Sequence, residues 1–140
     1  MYTLEEIAAL RQKCTDYQLE GRGVLEKYTD EDLQKICNGI GPEGAPLFLR
    51  RMLTGIHGEL EVAALIHDVD FRESDGREES FDESNDRFLA NGIKVSLRYK
   101  WYDLHRYLLQ LQARRLAAWC RTFGMFFWRM AAMNDRKEEL

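Results

Sequence analysis

Three short segments of the sequence carry residue types that can act together in a calcium-assisted hydrolytic site. The first is Cys37–Gly44, in which Gly39 and Gly41 can adopt positive φ angles that turn backbone carbonyl groups towards a ligand. Carbonyl oxygens are suitable ligands for a hard cation such as calcium. The segment has no neighbouring Lys and no Gly-Lys-Ser/Thr ending, which argues against a phosphate-binding loop. A glycine loop by itself is more often a simple turn.

The second and third segments supply a histidine and carboxylates. His67 and Asp68 are adjacent on a predicted helix, so their side chains point about 100° apart, which suits a proton acceptor beside a cation ligand. Asp86 follows on the next predicted helix, where an antiparallel hairpin would place it opposite His67 to fix the imidazole tautomer. Asp82, one turn earlier, is an alternative. Taken singly, such a histidine is more often a core residue and such an acid more often solvated.

The elements that must position these residues are predicted to be helices. Thr3 and Glu6 form a capping box that starts a helix ending near residue 14, and Thr29 starts a short second helix that stops at the glycine loop. Pro46 fits the first turn of a third helix. Gly58 precedes a helix that carries His67 and ends near residue 71.

The second half of the chain is also predicted to be helical. Asp75-Gly76 is a turn signal, and a capping box at Ser80 predicts a helix that ends at Asn91-Gly92. Apolar residues then recur at helical spacing over 97–135, with Gly124 as a point of division, although 92–99 also fits a short strand. The predicted fold is therefore mainly α, a single domain over 1–140.

Composition limits the classes of function. The 140 residues are 45% hydrophobic and 31% charged, as in an ordinary globular protein, and the net charge of −4 argues against a nucleic-acid binder. The three cysteines, Cys14, Cys37 and Cys120, fit neither a disulfide framework nor a zinc motif. No secretory signal and no apolar run of membrane-spanning length is present, which predicts a cytoplasmic protein.

The charge is unevenly distributed. The segment 68–86 is acidic, whereas 98–129 is rich in arginine and aromatic residues and has Asp103 as its only acid. Two solvated helix faces would explain this, and so would a cation site followed by a contact with an anionic surface. Within the basic part, 125–130 is apolar on nearly all sides. We expect it to lie in the core or to join two copies of the chain, with a lipid surface as the other interpretation.

In the order of its parts the chain resembles the phospholipase A2 superfamily, and within it the disulfide-poor viral and phage-type members. Ile36–Pro42 looks like the calcium loop, Ile66–Phe71 like the catalytic helix with its His-Asp pair, and Ser84–Leu89 like the second helix with its aspartate. The match covers residues 36–91. It implies a core of two antiparallel helices and a calcium loop, with extra N-terminal helices and a long C-terminal helical segment.

The resemblance implies calcium-dependent hydrolysis of the sn-2 ester of glycerophospholipids. His67 would be the base and Asp86 its support; calcium would be bound by Asp68 and by carbonyl groups of Cys37, Gly39 and Gly41. The N–H of Gly39 would stabilise the oxyanion. The implied partner is a phospholipid or membrane surface, and the implied location is the cytoplasm of the host cell if the gene is carried by a phage.

Two other functions are compatible with the same residues. Phe71 stands where this family usually has a tyrosine, four residues after the histidine, which favours a non-catalytic scaffold that acts as a viral or prophage interaction protein. A transition-metal phosphohydrolase would instead use His57 with His67 and Asp68, since two imidazoles favour a transition metal over calcium.

Overall fold

The computed structural model describes residues 2–38 and 58–138, and of 134–138 only the backbone. The predicted helix of Pro46 lies outside these residues. The described part is mainly helical and contains no β-strand. Its α-helices are α1 (Leu4–Asp16), α2 (Asp30–Cys37), α3 (Glu61–Arg72), α4 (Glu78–Ser96), α5 (Leu104–Phe123) and α6 (Met125–Glu138), and 3₁₀ helices span Arg22–Lys27 and Gly58–Leu60.

The two N-terminal helices begin where the sequence predicts. The hydroxyl of Thr3 accepts from the Glu6 N–H while the Glu6 carboxylate accepts from the Thr3 N–H, so the capping box is confirmed. Thr29 and Asp32 form the same reciprocal pair at the start of α2. Each box satisfies two N–H groups that a helix leaves without an internal partner.

Helices α3 and α4 form an antiparallel hairpin closed by the predicted Asp75-Gly76 turn, in which Gly76 has φ +78°. The pairing is visible in contacts that run in opposite directions along the two helices: Phe71 packs on Phe81, and His67 packs on Phe88. This hairpin places the His-Asp pair of α3 beside α4.

Helix α4 differs from its predicted limits at both ends. It begins at Glu78, and the Ser80 hydroxyl donates to Asp75 instead of capping the helix. The predicted stop at Asn91-Gly92, and the alternative strand, are wrong because the helix continues to Ser96. Asn91 is buried: its side chain accepts from the N–H of Glu20 and donates to the Glu20 carbonyl, so it joins α4 to the N-terminal part.

Gly92 lets α4 and α5 approach closely. A Cβ atom at this position would lie 2.7 Å from the Cβ of Ala113, which is shorter than van der Waals contact. A side chain at Gly92 would therefore push apart the two helices that make the most extensive contact in the described structure. The glycine has a packing role here and does not end the helix.

The Gly92→Val variant is expected to lower the free energy of unfolding by about 1–3 kcal/mol, because the added methyl groups overpack the α4–α5 contact. Chemical denaturation measures this loss. Gly23→Val is the matched control, since a Cβ at Gly23 meets no atom within 4 Å. Equal losses in the two variants would contradict a close helix contact at Gly92.

The predicted helical segment 97–135 is wrong over 97–103, which form turns, because Asp103 caps a new helix by accepting from the His105 N–H. The C-terminal helices divide at Gly124, as predicted, and α6 returns to the hairpin. Trp128 of α6 is buried and contacts Phe71 edge-on, with ring centroids 5.0 Å apart, and Phe81 at a tilted angle, with ring centroids 5.8 Å apart. Its indole N–H donates to the Arg77 carbonyl. The apolar segment 125–130 thus contributes to the core through Trp128, whereas Phe126 is exposed.

Candidate functional site

His67 lies at the centre of the α3–α4 hairpin and exposes 1% of its surface. Its ring packs between Phe71 and Phe88, with centroid distances of 4.9 and 5.2 Å. The Nε2 atom lies 3.1 Å from Oδ1 of Asn85 on α4. Because a carbonyl oxygen can only accept, Nε2 carries the proton and Nδ1 keeps its lone pair.

Two polar atoms of this pair have no hydrogen-bond partner among the described residues. They are Nδ1 of His67 and Nδ2 of Asn85, and both are buried. Buried polar atoms are nearly always hydrogen-bonded, so an isolated one marks a place where a water, an ion or a substrate group fits. The lone pair at Nδ1 can accept a proton from such a molecule.

Burial holds the imidazole in its neutral form. The pKa of His67 is lowered from 6.5 to about 4, mainly by desolvation and in part by the positive charge of Arg87, while the hydrogen bond to Asn85 opposes both effects. A neutral ring is the form that can act as a base. Its low pKa also makes it a weaker base than a histidine supported by a carboxylate.

Because His67 is buried in its neutral form, we expect the protein to lose stability in mild acid. The folded-state pKa of about 4 lies below the unfolded value of 6.5, so the unfolded chain binds the proton more readily between these values. The contribution of neutral His67 is complete above pH 6.5 and is lost as the pH falls towards 4. It amounts to roughly 3 kcal/mol in total.

Denaturation curves of the wild type and His67→Gln at neutral pH and at about pH 4.5 measure this effect. Carboxylates, including Asp70, are protonated in both proteins. The difference between the stability losses of the wild type and the variant on acidification therefore measures the contribution of His67. We expect the wild type to lose more stability on acidification than the variant. The same loss in both would show that His67 is not buried in its neutral form.

Asp86 is not the partner of His67, and the prediction that it lies opposite the ring is wrong. Its side chain is 65% exposed and forms an ion pair with Arg121 of α5. Asn85 precedes it by one position and therefore points about 100° away from it, into the core. Asp82, the alternative, is also exposed.

The spacing of apolar residues along α4 contains the signal that identifies Asn85. The buried positions Phe81, Ser84, Asn85 and Phe88 follow steps of three, one and three, which define one helix face. Asp86 falls outside that face. Residue type alone does not indicate Asn85, because the usual support of a catalytic histidine is a carboxylate and not an amide.

Asp68 is completely buried on α3. Burial, followed by the negative charge of Asp68, raises the pKa of the Cys120 thiol to about 12, so the carboxylate lies within electrostatic reach of α5. Cys37 is buried at the last residue of α2. Gly39, proposed both for the metal and for the oxyanion, and Gly41 lie outside the described residues, as does His57.

A second polar group on the hairpin was not predicted from the sequence. Nη1 of Arg87 lies 2.9 Å from both carboxylate oxygens of Asp70, and the Ser84 hydroxyl donates to Oδ2 at 3.3 Å. Burial raises the pKa of Asp70, although Arg87 opposes this. The group borders an open depression of about 200 Å³, whose lining also includes Glu73, Glu83 and Trp128. The sequence does contain a signal for this group, because Asp70 belongs to the same Ile66–Phe71 segment as His67.

Among the side chains of residues 2–38 and 58–133, no cluster of three or more His, Cys, Asp or Glu is arranged to hold a metal. None of the helices described there is both long and apolar enough to cross a bilayer. None of the three cysteines, all of which are buried, forms a disulfide.

Comparison with protein-family models, with curated proteins and with solved structures finds no match to this chain.

Proposed function

We propose that the chain is a hydrolase of the phospholipase A2 type that cleaves the sn-2 ester of glycerophospholipids with a histidine-activated water. The observation that supports this proposal best is the state of His67. Its Nε2 proton is held by Asn85, and its Nδ1 lone pair is buried without a hydrogen-bond partner among the described residues. A base that removes a proton from water needs this tautomer and a vacant acceptor atom.

In the proposed reaction Nδ1 of His67 accepts a proton from a water molecule as the water oxygen forms a bond to the ester carbonyl carbon. The ring then carries a positive charge, and its Nε2–H still donates to Asn85. The imidazolium returns the proton to the departing alcohol oxygen when the ester C–O bond breaks. The amide of Asn85 keeps the ring in position but does not offset its charge, unlike a carboxylate in the same place.

The proposed cofactor is calcium, and the chain offers the carboxylate and carbonyl oxygens that calcium prefers as ligands. The carboxylate of Asp68 is a hard oxygen ligand, and a carboxylate buried so completely is stabilised by a nearby cation. Cys37 ends α2, where helix carbonyl groups are directed away from the helix body. The carbonyls of Gly39 and Gly41 complete the proposed set. When bound, calcium would bind the substrate phosphate and polarise the ester carbonyl.

Release of fatty acid from phospholipid vesicles tests the proposal. The substrate should carry distinguishable acyl chains at its two ester positions, so that the position of cleavage is read directly. We expect calcium-dependent release of the sn-2 chain that stops when a chelator is added. Release that persists in the chelator would contradict the role of calcium, and absence of release would contradict the enzyme.

The second candidate is a non-catalytic scaffold that keeps the helical hairpin of the family and acts through binding. Two observations favour it: an amide replaces the carboxylate beside His67, and the ring is enclosed by Phe71 and Phe88. Both reduce the strength of the base and its contact with substrate. This candidate predicts no turnover, and a melting temperature that calcium does not change.

A further inference from the structure

The outer surface of α5 is apolar although α5 already has a buried apolar side. The buried side consists of Leu109, Ala113, Leu116, Ala117 and Cys120. The opposite side, here called the outer face, consists of Leu104, Leu108, Leu111, Arg115 and Trp119 and is exposed. Leu104 alone leaves 68% of its surface open. Exposed apolar patches of this kind mark interaction sites.

The charged residues of α5 itself are all positive. The helix contains four arginines and no Asp or Glu along its whole length, in a chain whose net charge is −4. Arg121 pairs with Asp86, whereas Arg114 and Arg115 are exposed and have no ion-pair partner among the described residues. The partner of this surface is therefore expected to be both apolar and anionic.

Exposed aromatic residues lie just before α5 and in its first turn. Trp101 and Tyr102, just before α5, expose 72% and 64% of their surfaces, and Lys100 lies beside them. Tyr107, half exposed, follows on the helix. Trp and Tyr concentrate at the boundary between lipid headgroups and acyl chains, and Lys and Arg interact there with anionic headgroups.

A second copy of the chain fits this surface poorly. Arg114 and Arg115 lie at the middle of α5, so a two-fold antiparallel pairing of two α5 helices would place these arginines opposite each other. A two-fold parallel pairing would oppose every residue to itself. Both arrangements bring like charges together at an apolar contact, which costs several kcal/mol.

We propose that α5 binds the surface of an anionic phospholipid bilayer through its outer face. The helix lies parallel to the membrane plane, with its leucines and Trp119 among the upper acyl chains, and the long side chains of Arg114 and Arg115 extend to the headgroups. At 20 residues α5 is about 30 Å long, which is enough for a stable interfacial contact. The proposal does not depend on hydrolysis, because binding can be measured without turnover.

Co-sedimentation with vesicles tests the proposal. One set is phosphatidylcholine alone, and the other contains phosphatidylserine as well. We expect the wild type to bind the phosphatidylserine vesicles more tightly, and expect added salt to weaken that binding. Equal binding to both sets, or no binding to either, would overturn the proposal.

Two variants locate the surface. The triple variant Leu104→Gln, Leu108→Gln and Leu111→Gln should reduce vesicle binding at least tenfold. Its control is Leu4→Gln, which replaces an exposed leucine of α1. Arg114→Gln with Arg115→Gln should reduce binding to anionic vesicles about 30-fold and remove most of its salt dependence. Arg77→Gln, an exposed arginine before α4, is the charge control.

Other occupants of the outer face give different results. If the wild type is a dimer without lipid and the leucine variant is a monomer, a second copy covers the face and the proposal fails. If the wild type binds RNA or DNA through Arg114 and Arg115 but does not bind vesicles, the surface recognises nucleic acid and the proposal also fails.

Discussion

The His67→Gln variant is expected to release fatty acid at least about 100-fold more slowly than the wild type, because positioned acid–base catalysis contributes about 10²–10⁴ to a rate. Glutamine retains a polar group beside Asn85 but has no side-chain atom that takes a proton at neutral pH. The measurement is the initial rate on phospholipid vesicles at saturating calcium. Far-ultraviolet circular dichroism establishes that the helices are retained.

Two further variants separate a catalytic role from a structural one. Asn85→Asp places a carboxylate beside Nε2, which should raise the pKa of His67 and increase the rate at neutral pH. Asp86→Asn removes the neighbouring exposed acid and should leave the rate unchanged. A full rate in His67→Gln, or a large loss in Asp86→Asn alone, would contradict the assignment of the base.

The Phe71→Ala variant is expected to lower the free energy of unfolding by about 3–5 kcal/mol. Phe71 is buried and packs against His67, Phe81 and Trp128, so its removal leaves a cavity between α3, α4 and α6. Chemical denaturation measures the loss. Phe126→Ala is the matched control. Because Phe126 is 65% exposed, its replacement should lower the free energy of unfolding far less. Equal losses would contradict the aromatic cluster.

The position of Phe71 also bears on the missing tyrosine hydroxyl. The para carbon of the ring lies 3.3 Å from where a Cβ of Gly124 would be, at the junction of α5 and α6. A hydroxyl added at that carbon would point to the junction and not to Asn85. The phenylalanine is therefore suited to the packing of α6 on the hairpin.

Local signals in the sequence predicted the helices well. The Thr3 and Thr29 caps, the Asp75-Gly76 turn and the division at Gly124 all depend on residues close in sequence, and all are confirmed. The predicted end of α4 at Asn91-Gly92 is wrong, because a glycine near the end of an apolar pattern usually indicates a helix stop. A glycine is present at this position because Gly92 contacts Ala113 on another helix, and the residues close to Gly92 in sequence do not predict that contact.

The candidate site was only partly predictable for a similar reason. The hairpin that carries His67 and Asp68 is confirmed, whereas the expectation that Asp86 lies opposite the ring, which depended on its residue type, is wrong. Which residue of α4 faces the ring depends on the direction of the buried face, and this is set by Phe81 and Phe88. Asn85 lies on that face and Asp86 does not.

Nitrogen-15 NMR of the labelled imidazole at neutral pH tests most directly which nitrogen of His67 carries the proton. We expect a neutral ring with its proton on Nε2, donated to Asn85, and an unprotonated Nδ1, and expect this state to persist down to about pH 5. A proton on Nδ1 at neutral pH, or a ring that is already charged, would contradict the account.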